Sequence, residues 1–156
     1  MIRTLTVSAL LFLVAWVPVH ASEQYVRFQH KGSVLFGKLK GDDITVLSGG
    51  IFPLSSPTGA ILKSRDVSFL PPTDARQVFA VGMNFASHLA SSVNSPPPLF
   101  LKLPTSLIGS GQTVNLPADA KNVHFEGELV LVNGKTTSKI KPSEAADHIF
   151  GVTAGN

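Results

Sequence analysis

The sequence contains no cysteine among its 156 residues. Disulfide bonds, thiolate metal ligands, a cysteine nucleophile and a cysteine-linked lipid anchor are therefore excluded. The folded core must be held by packing of the hydrophobic residues, which make up 44% of the sequence. Any metal site must be built from histidine nitrogen or from oxygen ligands.

The sequence also lacks an apolar run of the roughly 20 residues that a membrane-spanning helix needs. Its most apolar segment extends from Leu5 to Val17, after Arg3 and before Val19-His20-Ala21. A basic start, a short apolar core and small residues at the end are typical of a secretory signal peptide. We therefore predict a signal peptide at 1–21 and an exported protein, periplasmic or secreted, without stable membrane insertion after cleavage. An uncleaved anchor is the alternative.

Basic runs and internal repeats are absent as well. The 13 Lys and Arg residues and the 10 Asp and Glu residues give a net charge of +3. No stripe of basic and aromatic side chains stands out, so nucleic acid is not an expected partner. The segment Gly109-Ser110-Gly111 has no third glycine and no following helix, which favours a tight turn over a nucleotide-binding loop.

Short β-prone segments dominate the sequence that follows the apolar start. The segments YVRFQH, VLFGKL and ITVL lie between Gln24 and Leu47 and are separated by turn sequences, so they predict a β-meander. The next stretch, 49–72, is rich in glycine and proline and is expected to be less regular. Its closing pair Pro71-Pro72 predicts a domain boundary.

The second half of the sequence predicts further strands and two helical segments. QVFAVGMN and LFLK predict strands, with a short turn of helix in FASHLASS between them, for which Asn84 is the expected cap. NSPPP must form a loop that is not helical. Asn133-Gly134 predicts a hairpin turn, and PSEAADHIFG predicts a helix that Gly151 ends.

The segment NVHFEGELVLVNGK, 122–135, predicts a strand with two acidic residues at its start. Glu126 and Glu128 lie two positions apart, so an extended chain points both carboxylates to one face. Val130 continues that face, whereas Leu129 and Leu131 line the other, which predicts a strand covered on both sides.

The paired carboxylates have an electrostatic cost that something must relieve. Two ionised groups about 6 Å apart repel by roughly 3 kcal/mol at an effective dielectric constant of about 20. A divalent cation bound by Glu126 and Glu128 would relieve it, with His124 as a possible third ligand, and oxygen ligation would favour Mg, Mn or Ca. Spacing alone leaves open the alternative of a solvent-exposed strand end with His124 at its rim.

Four segments in order are similar to the fumarylacetoacetate hydrolase family: VGMNFASH at 81–88, PLFLKLPTSLIGSG at 98–111, FEGELVLVNGK at 125–135 and HIFGVTAGN at 148–156. The resemblance implies a mainly β protein. It implies a small β-rich N-terminal domain at 22–72, followed by an incomplete catalytic domain of the mixed β-roll or barrel type at 73–156.

The resemblance also implies a cofactor and a substrate class. Members bind Mg or Mn and act on small-molecule 2-oxo acids, by hydrolytic carbon–carbon cleavage or decarboxylation, while relatives isomerise or hydrate such acids. Glu126 and Glu128 match the family's Glu-x-Glu metal pair, where the cation would polarise the carbonyl group and stabilise a developing enolate. A homodimer is the assembly that the family implies for a full-length protein.

Two more residues match functional positions of the family. His88 matches a catalytic histidine that hydrolytic members pair with a glutamate three residues later. Ser91 stands at that later position here, which leaves water activation and the isomerase alternative open. Lys102 matches a lysine expected to hold a substrate carboxylate, although Leu103 stands at the next position, where the family often has proline. A helix-surface histidine and an exposed strand-end lysine are the structural alternatives.

The last match concerns the third metal ligand. In the family, the motif matching GVTAGN continues with an aspartate ligand, whereas this sequence stops at Asn156. On this basis, residues 22–156 expressed alone are expected to aggregate or stay loosely packed, to bind Mg or Mn no tighter than about millimolar, and to show no turnover. A non-catalytic remnant or binding protein is the alternative.

Overall fold

The computed structural model describes residues 22–85 and 95–156, and within these ranges the protein is mainly β, as predicted. The strands, all paired antiparallel, are β1 (Gln24–His30), β2 (Ser33–Lys40), β3 (Asp43–Leu47), β4 (Pro57–Lys63), β5 (Ser68–Phe69), β6 (Val78–Val81), β7 (Leu99–Lys102), β8 (Glu128–Asn133) and β9 (Ile149–Gly155). Within the described ranges, short 3-10 helices span Ser64–Asp66, Pro104–Ser106 and Pro142–His148.

The first five strands form one sheet in the order β4-β3-β2-β1-β5. The predicted meander is confirmed, and its first turn shows why these residues fold back. Lys31 and Gly32 have φ angles of 48° and 82°, the left-handed pair that a two-residue hairpin turn requires, and they join His30 to its partner Ser33.

The core of this sheet consists of Phe28, Ile44 and Val46, and the first two are fully buried. Gly37 on β2 makes this packing possible. A Cβ atom at Gly37 would lie 2.4 Å from Cγ2 of Ile44 and 2.9 Å from the carbonyl oxygen of Thr45, closer than real atoms approach. Because Gly37 has no side chain, Ile44 and Phe28 can pack closely against β2 at this position.

The stretch 49–72, expected to be less regular, also contains two strands that were not predicted, β4 and β5. Both strands lie at the edges of the sheet, where β4 pairs with the preceding strand β3 and β5 pairs with the distant strand β1. Pro57 begins β4 at such an edge, the position where a missing N–H is tolerated.

The remaining four strands of the described chain form two hairpins. β6 pairs with β7 and β8 with β9, in two separate two-stranded sheets. The predicted strands in QVFAVGMN and at LFLK are confirmed. Most of FASHLASS lies outside the described residues. In 22–85 and 95–156, no helix is long and apolar enough to cross a membrane.

The predicted helix in PSEAADHIFG is only partly correct. A 3-10 helix covers Pro142–His148, and Glu144 accepts a hydrogen bond from the backbone N–H of Lys141 at its start. Ile149 and Phe150 instead belong to β9, which pairs with β8. The backbone partners offered by β8 and the β-branched Ile149 favour a strand at that point over a further turn of helix.

Two expectations about the acidic strand also require correction. β8 begins at Glu128, so Glu126 precedes the strand, and Leu129 and Leu131 remain 72% and 53% exposed, so one face is uncovered in the described chain. Asn133-Gly134 does not form a two-residue hairpin turn. The partner of Asn133 is Ile149, and the 3-10 helix lies between them.

An aromatic cluster and a glycine lie where residues 22–72 contact the later part of the described chain. Phe150 on β9 stacks at 5.4 Å from the ring of Tyr25 and, edge to face, at 4.9 Å from Phe52. The glycine is Gly109, where a Cβ atom would lie 2.0 Å from the carbonyl oxygen of Phe69. Only glycine can therefore bring this turn against the end of β5.

Tyr25 also takes part in a pH-dependent interaction with Glu23 and Lys38. Its hydroxyl donates to the Glu23 carboxylate, which Lys38 also contacts at 2.7 Å. The hydrogen bond to Glu23 raises the pKa of Tyr25 above its usual value, and Lys38 lowers the pKa of Glu23. The Tyr25 contribution to stability is therefore present below about pH 10 and is lost as pH rises through the folded-state pKa.

We expect the ultraviolet absorbance of the folded protein to show that the Tyr25 phenol ionises with a midpoint above pH 10. Tyr25 is the sole tyrosine in the sequence, so the signal needs no assignment. The substitution Glu23→Gln removes the charged acceptor and should return the midpoint towards 10. Equal midpoints in the two proteins would show that the hydrogen bond is not formed in solution.

Candidate functional site

The β8–β9 hairpin positions the two candidate metal ligands. Glu128 begins β8 and pairs with Gly155 on β9, which brings the next residue, Asn156, beside Glu126. The backbone N–H of Glu126 donates to the side-chain oxygen Oδ1 of Asn156 at 2.7 Å. The segment before β8 is thus tied to the end of β9 by a side chain, although it lies outside the strand ladder.

Gly155 leaves the space that this arrangement needs. A Cβ atom there would lie 2.8 Å from Cγ2 of Val130 and 3.9 Å from Cβ of Glu128. A larger residue would push against the half-buried face that Glu128 shares with Val130 and Val132. The glycine therefore keeps the side of β9 open next to the Glu128 side chain.

The donor chemistry of this site fits a hard divalent cation. Glu126 and Glu128 supply carboxylate oxygens, the ligands that Mg and Mn prefer, and Glu126 is exposed to solvent that could supply water ligands. Within 22–85 and 95–156, no three His, Asp or Glu side chains form a group able to hold a metal ion. Glu126 and Glu128 therefore stay two predicted ligands, without a third among the described residues.

The other predicted site residues are not brought to this pair. His124 is exposed and joins no three-residue metal group with Glu126 and Glu128. Lys102 lies on β7, in the other hairpin, with its ammonium nitrogen 5.6 Å from the centre of the Phe100 ring. His88 and Ser91 lie outside the described residues, so their roles stay predictions.

Asn156 is the residue that sequence reasoning missed. In the sequence, Asn156 is only the last matched position of a motif. In the structure, its side-chain oxygen accepts a hydrogen bond from the backbone N–H of Glu126. The sequence feature that could have revealed this role is a pair of segments with alternating apolar residues, ELVLVN and IFGVTAG. These segments pair as β8 and β9 and place Gly155 opposite Glu128. Had that pairing been predicted, it would have placed Asn156 next to Glu126.

Comparisons with known proteins identify the family. Residues 77–156 match the fumarylacetoacetate hydrolase C-terminal family, and residues 24–72 match the Rv2993c-like N-terminal family. The chain belongs to the fumarylacetoacetate hydrolase family. Both candidate metal ligands and Lys102 lie within the first of these matched ranges.

Two relatives illustrate the similarity, and the second is named for its reactions. Protein Rv2993c of Mycobacterium tuberculosis is 35% identical over 83% of this chain and 53% of its own length. The homoprotocatechuate catabolism bifunctional isomerase/decarboxylase of Escherichia coli is 34% identical over 74% of this chain and 28% of its own length.

A solved structure agrees with this assignment. The 2-hydroxyhepta-2,4-diene-1,7-dioate isomerase of Mycobacterium marinum superposes with a TM-score of 0.75 and 30% identity, over 86% of this chain and 53% of that one. The chain thus spans about half the length of the relative from M. tuberculosis and of this isomerase.

Proposed function

We propose that this chain supplies the carboxylate pair of a divalent-cation-dependent enzyme that acts on small 2-oxo acids. The observation that carries the proposal is the β8–β9 hairpin, in which Glu128 faces Gly155 and Asn156 holds the backbone of Glu126. This arrangement presents two carboxylates at one end of a hairpin inside the range matched to the catalytic family.

Each residue has a distinct role in this proposal. Glu126 and Glu128 would hold Mg or Mn, and the bound cation would polarise the 2-oxo group of the substrate. Asn156 positions Glu126 through the backbone hydrogen bond and does not itself need to touch the substrate. Lys102 is proposed to bind the substrate carboxylate because it matches a lysine of the family; in the described chain it lies on the other hairpin and forms no ion pair, so this role depends on how the complete protein brings the two hairpins together.

The leading reaction is carbon–carbon cleavage, either hydrolysis of an acylpyruvate or decarboxylation of an oxaloacetate-type acid. Decarboxylation is supported by the name of the E. coli relative, an isomerase/decarboxylase. In both reactions, negative charge develops next to the 2-oxo group, so a cation near that group lowers the barrier.

Isomerisation or hydration of a 2-oxo-diene acid is the second candidate. It is supported by the solved M. marinum isomerase, whose named substrate carries a 2-hydroxy-2,4-diene group. Such a group is the enol form of a 2-oxo acid, so the same carboxylate pair and lysine would serve either reaction.

Other predictions about the whole protein are retained as proposals. They are the domains at 22–72 and 73–156, export through the signal peptide at 1–21, which lies outside the described residues, and a homodimer for the full-length protein. A non-catalytic binding protein is the alternative that the experiment must separate from the enzyme.

The test uses a chimera, because the chain spans about half the length of its relatives. The remaining part of the M. tuberculosis relative follows Asn156, and turnover of oxaloacetate, an acylpyruvate and a 2-hydroxy-2,4-diene acid is measured with Mg or Mn. We expect cation-dependent turnover of at least one substrate. The substitutions Glu126→Gln and Glu128→Gln should each remove it.

Glu144→Gln is the matched control, because Glu144 caps the 3-10 helix and an amide oxygen can still accept that hydrogen bond. Its turnover should equal that of the unmodified chimera. Faster reaction of the diene acid than of the other two substrates would select the isomerase. A folded chimera that turns over none of the three substrates would contradict the proposal and favour the binding protein.

A further inference from the structure

A second place with the features of a small-molecule site lies away from the carboxylate pair, between β1 and the segment after β7. It is a cavity of about 250 Å³ whose polar lining residues are Arg27 on β1, Thr73 and Asp74 after β5, and Gln112. Arg27 belongs to the range matched to the N-terminal family and Gln112 to the range matched to the catalytic family. Junctions of this kind are a frequent location of ligand sites.

The guanidinium group of Arg27 is the main feature of this cavity. Its side chain is only 17% exposed, yet its nearest carboxylate oxygen, Oδ1 of Asp74, lies 3.9 Å from Nη2, beyond hydrogen-bond distance. The Asp74 side chain is 93% exposed, so this ion pair is weak. Among residues 22–85 and 95–156, no acceptor forms a hydrogen bond with this guanidinium group.

The surrounding backbone holds the cavity walls in place. The N–H of Leu70 donates to the carbonyl oxygen of Arg27 at 2.9 Å, so the segment after β5 runs beside β1. The Gln112 side-chain oxygen accepts from the N–H of Gly109 at 2.8 Å, which leaves its NH₂ group available as a donor. Gly109 itself is pressed against Phe69. Donors from both sides of the junction therefore line a supported space.

We propose that this cavity binds a small carboxylate, held by the two parallel donors of the Arg27 guanidinium group. A carboxylate matches the fork of an arginine in geometry and charge, and a mostly buried arginine gains most from such a partner. Asp74 adds negative charge nearby, which disfavours a doubly charged anion such as phosphate. The size of the cavity, below the usual range for drug-sized ligands, fits a ligand of a few carbon atoms.

The experiment is a titration of the full chain with propanoate, followed by ligand-observed NMR in the presence of a chelator. The chelator removes any cation that Glu126 and Glu128 could hold, so the result does not depend on the proposed enzyme. We expect saturable binding in the millimolar range. Arg27→Gln should weaken binding at least about tenfold, because a charged hydrogen-bonded pair is lost.

Three further variants make the outcome decisive. Asp74→Asn removes the competing charge from an exposed side chain, so it should tighten binding without affecting folding. Arg27→Lys keeps the charge but not the fork, so it should weaken binding less than Arg27→Gln. Arg65→Gln, at an exposed arginine outside the cavity, should leave binding unchanged.

Several results would overturn the proposal. They are equal binding by Arg27→Gln and the unmodified chain, weaker binding by Asp74→Asn, or equal weakening by Arg65→Gln and Arg27→Gln. Tighter binding of inorganic phosphate than of propanoate would also overturn it, since it would assign a different class of anion to the cavity. The double variant Glu126→Gln with Glu128→Gln should bind propanoate normally, which separates this site from the proposed metal site.

Discussion

The substitution Phe28→Ala is expected to lower the free energy of unfolding of the five-stranded sheet by about 3–5 kcal/mol. Phe28 is fully buried and forms the core with Ile44 and Val46, so its removal leaves a cavity that the neighbouring strands cannot close. Small domains are stable by only about 5–15 kcal/mol, so the variant should unfold at a much lower urea concentration.

The matched control for Phe28→Ala is Val34→Ala on the neighbouring strand β2. Val34 is 49% exposed, so its substitution should change the free energy of unfolding by about 0.5 kcal/mol or less. Urea unfolding followed by far-ultraviolet circular dichroism measures both variants. Similar losses in the two would mean that Phe28 does not anchor the core in solution.

The second large effect is expected at the carboxylate pair. Addition of Mn to the isotope-labelled chain should broaden the amide NMR signals of Glu126, Glu128, Gly155 and Asn156 by paramagnetic relaxation. The double variant Glu126→Gln with Glu128→Gln should lose this local broadening, because neutral amides replace both anionic ligands. The method detects binding even at the millimolar affinity expected for two protein ligands.

Two controls separate site binding from general attraction of a cation. Glu144→Gln should leave the broadening at the hairpin unchanged, because this carboxylate lies at the start of the 3-10 helix. Mg, which is not paramagnetic, should compete with Mn and restore the signals. Broadening spread evenly over all exposed acidic residues, or persisting in the double variant, would contradict a site at Glu126 and Glu128.

Local patterns predicted those elements whose formation depends on adjacent residues. The β1–β3 meander follows from alternating segments joined by short turns, and Lys31-Gly32 has the left-handed backbone that such a turn needs. β4 and β5 could not be predicted in the same way. A stretch rich in glycine and proline separates β4 from its partner β3, and β5 has only two residues and pairs with the distant β1, so the local pattern indicated neither strand.

The helix predicted at PSEAADHIFG shows the same limit within one segment. The helical part of the prediction holds for Pro142–His148, where a 3-10 helix forms. Its end was decided by pairing of Ile149 with Asn133, a contact between residues far apart in the sequence. Tertiary pairing therefore overrode a local preference for helix.

The candidate site divides along the same line. The pairing of Glu126 and Glu128 on one face could be predicted from the sequence, because side chains two residues apart in an extended chain point to the same side. The contribution of Asn156 depends on the register of β8 with β9, which places Gly155 opposite Glu128. A register is a property of two strands together, so neither segment alone contains it.

The close approach of Gly109 to Phe69 has a consequence for recombination between members of this family. The atoms nearest to the side-chain position of Gly109 are backbone atoms, namely the carbonyl group of Phe69 and the Cα of Leu70. This contact does not depend on which side chains stand at those two positions. N-terminal sheets from different relatives should therefore keep this contact wherever glycine stands at position 109, whereas the ring contact of Phe150 also needs an aromatic residue at position 25.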